Sequence, residues 1–383
     1  MSFSQLTPNG DRAIANGGLN LFEGGPDATV TIRAGRVINT AGPWVDELIE
    51  QSGAGPRLQQ LSRGIHLVGP PLDVIPLIAP LADESDRVLF VLPWAGATLV
   101  GTTDTPFHAD PARPGLEAAD VGSLLTHLTD LLPDAKAWRP WYGIAGIRSL
   151  GDATAIRGGG LRPLEETSRV SRRAFVVEHS RWRAAGLVSL AGGKLTGHRA
   201  IAGTLLHAAF PHLRRTELLP LDPLPGAIPA GMDPRNADGP VLSEGPDRLI
   251  ELYGARAADV LGGGSPDPIP GAGDVTMAEL VHAVRREGAR TLADVIQRRV
   301  MIGHGQDLGW PAAQVLVAPL GELLGWDSAR RVRALEAYDA EIRERRLPDA
   351  GSEAPAGGVE AAAATGSQPL KPGERDPLGQ PAP

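Results

Sequence analysis

Residues 186–199 read GLVSLAGGKLTGHR, an order of residue types that can build an anion site. An apolar run (Leu187, Val188, Leu190) meets the glycine pair Gly192 and Gly193, then Lys194 and Thr196. A helical pattern follows, in which Ile201, Leu205 and Leu206 share one face. The spacing predicts a strand, a glycine turn and a helix start. Glycines let the backbone approach a ligand, and the N–H groups at a helix start face it with the positive end of the dipole. Lysine is scarce: of 37 basic residues only Lys136, Lys194 and Lys371 are lysine, so this chain has placed a rare ammonium at the turn. Taken alone, the stretch fits an ordinary strand-to-helix turn with an exposed lysine equally well.

Further groups carry candidate chemistry. Ile38-Asn39-Thr40-Ala41-Gly42-Pro43-Trp44 ends a strand in small residues before a helix start, which admits a nucleotide. His66, in Arg63-Gly64-Ile65-His66, titrates near neutral pH and can take a proton. Gly101-Thr102-Thr103-Asp104 puts hydroxyls and a carboxylate at a strand end. Arg148, Arg162 and Arg172 offer the planar fork that pairs with phosphate or carboxylate, and together with Lys194 would make a pocket for an anionic substrate. Each group also has a plain structural reading: a turn, a core histidine, an aspartate bonding its own backbone, a surface charge. The sequence has no GxSxG elbow, P-loop or zinc-spaced histidine pair, so no metal site is expected. It has no cysteine, which excludes disulfides, thiolate ligands and cysteine nucleophiles.

The elements that must position these groups are legible as patterns. Residues 28–39, 65–68, 88–92, 97–102, 142–150 and 174–177 read as strands, with a hairpin turn at Pro93-Trp94-Ala95-Gly96. Pro43, with Asp46 and Glu47 behind it, opens a helix, and residues 116–132 have helical spacing. A domain over 1–219 gives way to a proline-rich linker at 220–241 and a helical domain at 242–347. Its predicted helices cover 275–287, 291–302, 311–324 and 327–345, and Thr276 with Glu279 and Thr291 with Asp294 fit capping boxes. Residues 348–383 are rich in Gly, Ala, Pro, Ser and Glu and are predicted to be a disordered tail. The chain has 383 residues, 42% of them apolar, ample for such cores. Its net charge of −8 gives no basic footprint for nucleic acid. No run of about 18 apolar residues could span a bilayer, and the N-terminus lacks the apolar segment of a signal peptide.

The order of these motifs is more specific than any one of them. INTAGPW, SRGIHLV, FVLPW with GTTDT, AGIR, SRR and GGKLTGHR, in that sequence, resemble the FAD-dependent glycerol-3-phosphate dehydrogenases. RLIELYG and TMAELVHAVRREGARTLADVIQRR resemble that family's C-terminal domain, so the likeness runs over residues 29–345. It implies an α/β (α+β) fold: an FAD-dependent oxidoreductase fold, here incomplete, with a mixed-sheet substrate domain, then an all-helical domain. The resemblance places Thr40, Ala41, Gly42 and Trp44 along the FAD nucleotide, and Gly192, Gly193, Lys194, Leu195 and Thr196 at the isoalloxazine ring. It assigns Thr102, Arg148, Arg172 and Lys194 to the substrate, with His66, Arg148 and Lys194 catalytic and His66 a base for the C2 hydroxyl. The implied reaction oxidises sn-glycerol 3-phosphate to dihydroxyacetone phosphate and passes electrons to a quinone. A cytoplasmic homodimer with a peripheral contact at the inner face of the membrane is implied as well.

The sequence departs from the family pattern in places. Its first 40 residues hold no GxGxxG, so the chain is expected to lack the N-terminal FAD-binding part and to be impaired in turnover. An inactive remnant, or a related flavin-dependent glycerol-3-phosphate or amine oxidase, is the alternative. Ser149 stands where the family has proline, which keeps Arg162 open as the substrate arginine beside Arg148. His198 replaces an aromatic residue in the GGKLT helix.

Overall fold

The computed structural model describes residues 34–81, 88–152, 173–212, 224–228 and 247–348. They fall in two compact units, the first reaching Leu224 and taking back Arg345–Pro348, the second covering Pro225–Glu344.

In the first unit β1 (Val37–Asn39) runs into a 3-10 turn at Gly42–Trp44 and then α1 (Val45–Ser52). Pro43 occupies the first turn, where its missing N–H is harmless, and Gly53 ends α1 in the left-handed region at φ 61°. A long strand, β2 (Gln59–Gly69), is followed by β3 (Leu77–Pro80), β4 (Val88–Trp94), β5 (Ala97–Gly101) and β6 (Thr105–Phe107). The β4–β5 hairpin turns at Ala95 and Gly96, both at positive φ, within the segment where the sequence predicts a turn. Helix α2 (Ala118–Leu131) and β7 (Tyr142–Gly151) come next, then β8 (Phe175–Glu178), β9 (Leu187–Ala191) and α3 (His198–Ala209).

These strands make two sheets. The six-stranded sheet runs β3-β4-β5-β2-β6 with β7 on the other side of β2, antiparallel throughout. The three-stranded sheet, β1-β9-β8, holds the parallel pairing, β1 with β9. The smaller sheet is therefore mixed, since β8 pairs antiparallel with β9. Successive side chains of β2 point to opposite faces. Ile65 and Leu67 join Leu89, Val91 and Val100 against Leu124 and Leu128 of α2. Burial at about 25 cal/mol per Å2 of apolar surface makes this packing the main hold on the sheet. Ser62, Gly64 and His66 are left on the opposite face.

β2 begins six residues before the predicted strand at 65–68, because β7 pairs with it continuously from Gln59 to Val68. Its buried polar residues are held by remote partners: Arg63 reaches Asp120 and Glu117 near the start of α2. Of the strand predicted at 28–39, residues 28–33 lie outside the described part of the chain.

The second unit is helical: α4 (Asp247–Tyr253), α5 (Ala257–Leu261), α6 (Met277–Arg285), α7 (Leu292–Arg298), α8 (Trp310–Leu324) and α9 (Ser328–Arg343). Both predicted capping boxes form, Thr276 with Glu279 and Thr291 with Asp294. α7 stops at Arg298 rather than continuing to 302, since Met301 turns left-handed at φ 59° ahead of a 3-10 turn. Of the predicted linker only 224–228, and of the predicted tail only Pro348, lie within the described residues.

Candidate active site

The face of β2 turned away from α2 is built for two large polar side chains. Arg148 stands opposite Ser62 in the β2–β7 register, and its guanidinium lies over Gly64, where any Cβ would overlap it. Gly101 stands opposite His66 in the β2–β5 register, and a Cβ at 101 would overlap the imidazole. The two glycines thus form a floor on which arginine and histidine rest.

Arg148 is held by the loop between β5 and β6. One terminal nitrogen donates to Thr102 Oγ1 at 2.7 Å, the other to the Thr103 carbonyl at 2.9 Å. Asp104 Oδ1 lies 3.6 Å from the second nitrogen and accepts a hydrogen bond from the Ser62 hydroxyl. Thr103 Oγ1 accepts from the Ile65 N–H at 3.0 Å, fixing the loop to β2. Burial lowers the His66 pKa, and the Arg148 charge lowers it further, so the imidazole is neutral at neutral pH and has a lone pair to accept a proton.

A second cluster forms where β1 and β9 end. Asn39 donates to the Val45 carbonyl at 3.0 Å and to Ser189 Oγ at 3.2 Å, and its Oδ1 accepts from the Ala41 N–H at 3.2 Å. His179, fully buried, meets the Ala54 carbonyl through Nδ1 at 2.7 Å and Ser189 Oγ through Nε2 at 2.9 Å. A carbonyl only accepts, so Nδ1 carries the proton and Nε2 accepts from Ser189. The Gln59 amide donates to the carbonyls of Gly42 and Pro43 at 2.8 and 3.0 Å, holding the turn from the other side. Thr40 and Trp44 are both exposed.

Past β9 the chain turns at Gly192 and Gly193, both at positive φ, through a 3-10 turn into α3. Neither Lys194 nor Gly197 caps its helix with a side chain, so no side-chain acceptor at those two positions takes the N–H groups there. A cavity of about 660 Å3 opens at this point, with Arg173, Gly193, Lys194 and Thr196 among its lining and Val176, Leu190 and Ile201 as its apolar wall. Lys194, Leu195 and Thr196 are exposed.

The structure brings His66, Thr102 and Arg148 together on the sheet face. It sets Gly193, Lys194 and Thr196 around the cavity instead, whose described lining includes neither Arg148 nor His66. The turn after β9 does approach β7, for a Cβ on Gly192 would lie 3.1 Å from the Gly151 nitrogen, three residues past Arg148. Arg162 and Arg172 lie outside the described residues. The sequence offers Asp104 as a strand-end carboxylate or a turn residue, but not as the partner of Arg148, and it gives Ser62 and Gly64 no role of their own. The available signal was the alternation Ser62-Gly64-His66 along one strand.

Comparison with known proteins bears on this arrangement. A family model described as FAD dependent oxidoreductase matches residues 12–199, and one described as the C-terminal domain of alpha-glycerophosphate oxidase matches 223–331. The chain is 30% identical over 369 residues to glycerol-3-phosphate dehydrogenase 2 of Mycobacterium tuberculosis, covering 90% of this chain and 60% of that protein. It is 28% identical over 353 residues to the glycerol-3-phosphate dehydrogenase of Synechocystis, covering 85% of this chain and 62% of that one. A solved glycerol-3-phosphate dehydrogenase from Bacillus halodurans, complexed with FAD, superposes with a TM-score of 0.66 at 25% identity, over 83% of this chain and 64% of its own. The chain thus spans about 60% of the length of the curated relatives it matches.

Proposed function

We propose, from the two matching family models and the glycerol-3-phosphate dehydrogenases it resembles, that the chain belongs to the FAD-dependent glycerol-3-phosphate dehydrogenases and that the glycine-floored sheet face of its first unit binds sn-glycerol 3-phosphate for oxidation to dihydroxyacetone phosphate. The observation that carries this reading is the convergence of Arg148, Thr102 and His66 on one face. A guanidinium pairs with a phosphate or an alkoxide through charge-assisted hydrogen bonds, and a neutral imidazole beside it can take the C2 hydroxyl proton. Arg148 then holds and orients the anion, Thr102 sets the arginine's direction, and His66 moves the proton. Arg172 and Lys194 complete the substrate contacts in this reading.

The residues present fit the ring end of FAD. The start of α3 lacks a side-chain cap, and a helix start favours negative charge. The left-handed Gly193 brings backbone to the cavity edge without a Cβ. Gly192, Gly193, Lys194, Leu195 and Thr196 would hold the isoalloxazine ring, and Thr40, Ala41, Gly42 and Trp44 the nucleotide. When bound, FAD accepts the two electrons and the C2 hydrogen of the substrate. A quinone as the final electron acceptor, a homodimer and a peripheral membrane contact rest on the family resemblance alone. No helix among the described residues is long and apolar enough to cross a membrane.

Titration of the full chain, in the presence of FAD, with glycerol 3-phosphate and with glycerol tests the reading. Binding of the phosphate ester with bleaching of the flavin absorbance, and neither with glycerol, is the expected result. Equal response to both ligands contradicts it.

A further inference from the structure

We propose that Asp104 is a positioning residue that aims Arg148 at the substrate anion, an inference that rests on the substrate reading above. An arginine side chain has several rotatable bonds, and a guanidinium that is to meet an anion must be fixed beforehand if ordering it is not to weaken binding. Here the fixing groups are the consecutive residues Thr102, Thr103 and Asp104. The Asp104 side chain is 4% exposed and Arg148 25% exposed, so the carboxylate is the more deeply buried partner and the guanidinium the one nearer the surface. Ser62, fully buried on β2, donates its hydroxyl to Asp104 and ties the carboxylate to the sheet.

The geometry separates two roles. At 3.6 Å Asp104 is too far to take a good hydrogen bond from Arg148, so it acts as a charge behind the arginine and as the end anchor of the loop. The hydrogen bonds of Arg148 are accepted by Thr102 Oγ1 and the Thr103 carbonyl, whose placement depends on that anchor. Opposing this, a carboxylate also partly neutralises the guanidinium and would weaken its pull on an anion. Positioning wins if removal of the carboxylate loosens substrate binding. Charge competition wins if removal tightens it.

The test uses the full chain with added FAD, glycerol 3-phosphate as the probe, and the variants Asp104→Ala, Ser62→Ala, Arg148→Ala and Asp104→Ala/Arg148→Ala. Asp104→Ala is expected to weaken binding about five- to fifty-fold, raising KM while leaving kcat within a few-fold, and Ser62→Ala to act in the same direction more weakly. In the double variant the two losses do not add, because Asp104 acts through Arg148. Additive losses, tighter binding by Asp104→Ala, or an unchanged KM overturn the proposal. Should Asp104→Ala fail to fold, Ser62→Ala paired with Arg148→Ala carries the same cycle. If Arg148→Ala itself binds as the wild type does, the substrate reading falls and this inference with it. A normal Arg148 effect with a silent Asp104 removes only the inference.

Discussion

The His66 imidazole lies where a side chain on Gly101, its cross-strand partner, would stand. Two residues along β2, the Arg148 guanidinium lies where a side chain on Gly64 would stand, although the cross-strand partner of Arg148 is Ser62. Each glycine is therefore a condition for the neighbouring functional group. Gly64→Ala is expected to cost about 1–3 kcal/mol of stability through overpacking. It should also raise the KM for glycerol 3-phosphate, because the guanidinium must leave Thr102 and Thr103. Gly146 stands opposite Gly64 with open space where its Cβ would be, so Gly146→Ala is the control. Melting temperature and KM of both variants decide the matter, and equal effects from the two would show that Gly64 is no floor for Arg148.

How much of this was legible in the sequence depends on how local the cause is. The two capping boxes, the Ala95-Gly96 turn and the Pro43 helix start each arise within a few residues, and each forms as read. The first half of β2 was hidden because Gln59, Gln60, Ser62 and Arg63 look like surface residues and are buried. Their burial depends on partners such as Asp120, 57 residues from Arg63. The roles of Gly64, Gly101 and Asp104 were hidden for a related reason. They follow from strand register, which pattern reading does not supply.

The relay from Asn39 through Ser189 to His179 has a definite direction, each donor meeting one acceptor. Ser189→Ala leaves the buried Nε2 of His179 without a donor and is expected to cost about 1–3 kcal/mol. Urea unfolding of the first unit measures this, and a change below a few tenths of a kcal/mol would show that the relay does not stabilise it.

Burial lowers the pKa of His179, and of His66, relative to an ordinary histidine. The unfolded chain then takes up protons at a higher pH than the folded one. Stability is therefore full above the ordinary histidine value of about 6.5 and falls as pH drops from there towards the lower folded values, by up to about 1.4 kcal/mol per pH unit for each group. Unfolding free energies between pH 5 and 7.5 should show that slope, and His179→Gln should flatten it. A slope of the opposite sign contradicts the lowered values.

In the second unit the fully buried Glu279 accepts from Arg248 at 2.7 and 2.8 Å and from the Thr276 N–H at 2.9 Å. Arg248→Ala strands that carboxylate and is expected to destabilise the unit by about 3–5 kcal/mol. Arg248→Ala/Glu279→Gln should recover part of the loss. Calorimetric unfolding checks both, and no recovery in the double variant would mean the cost lies in lost packing.

The central claim is that Arg148 meets the substrate anion. Its most direct test is the affinity of the full chain, with FAD present, for glycerol 3-phosphate when Arg148 is replaced by alanine. A charged hydrogen bond is worth about 1.5–3 kcal/mol, so binding should weaken by roughly ten- to 150-fold. Arg148→Lys should restore little, since lysine lacks the planar fork. An Arg148→Ala chain that binds glycerol 3-phosphate as tightly as the wild type would contradict the account.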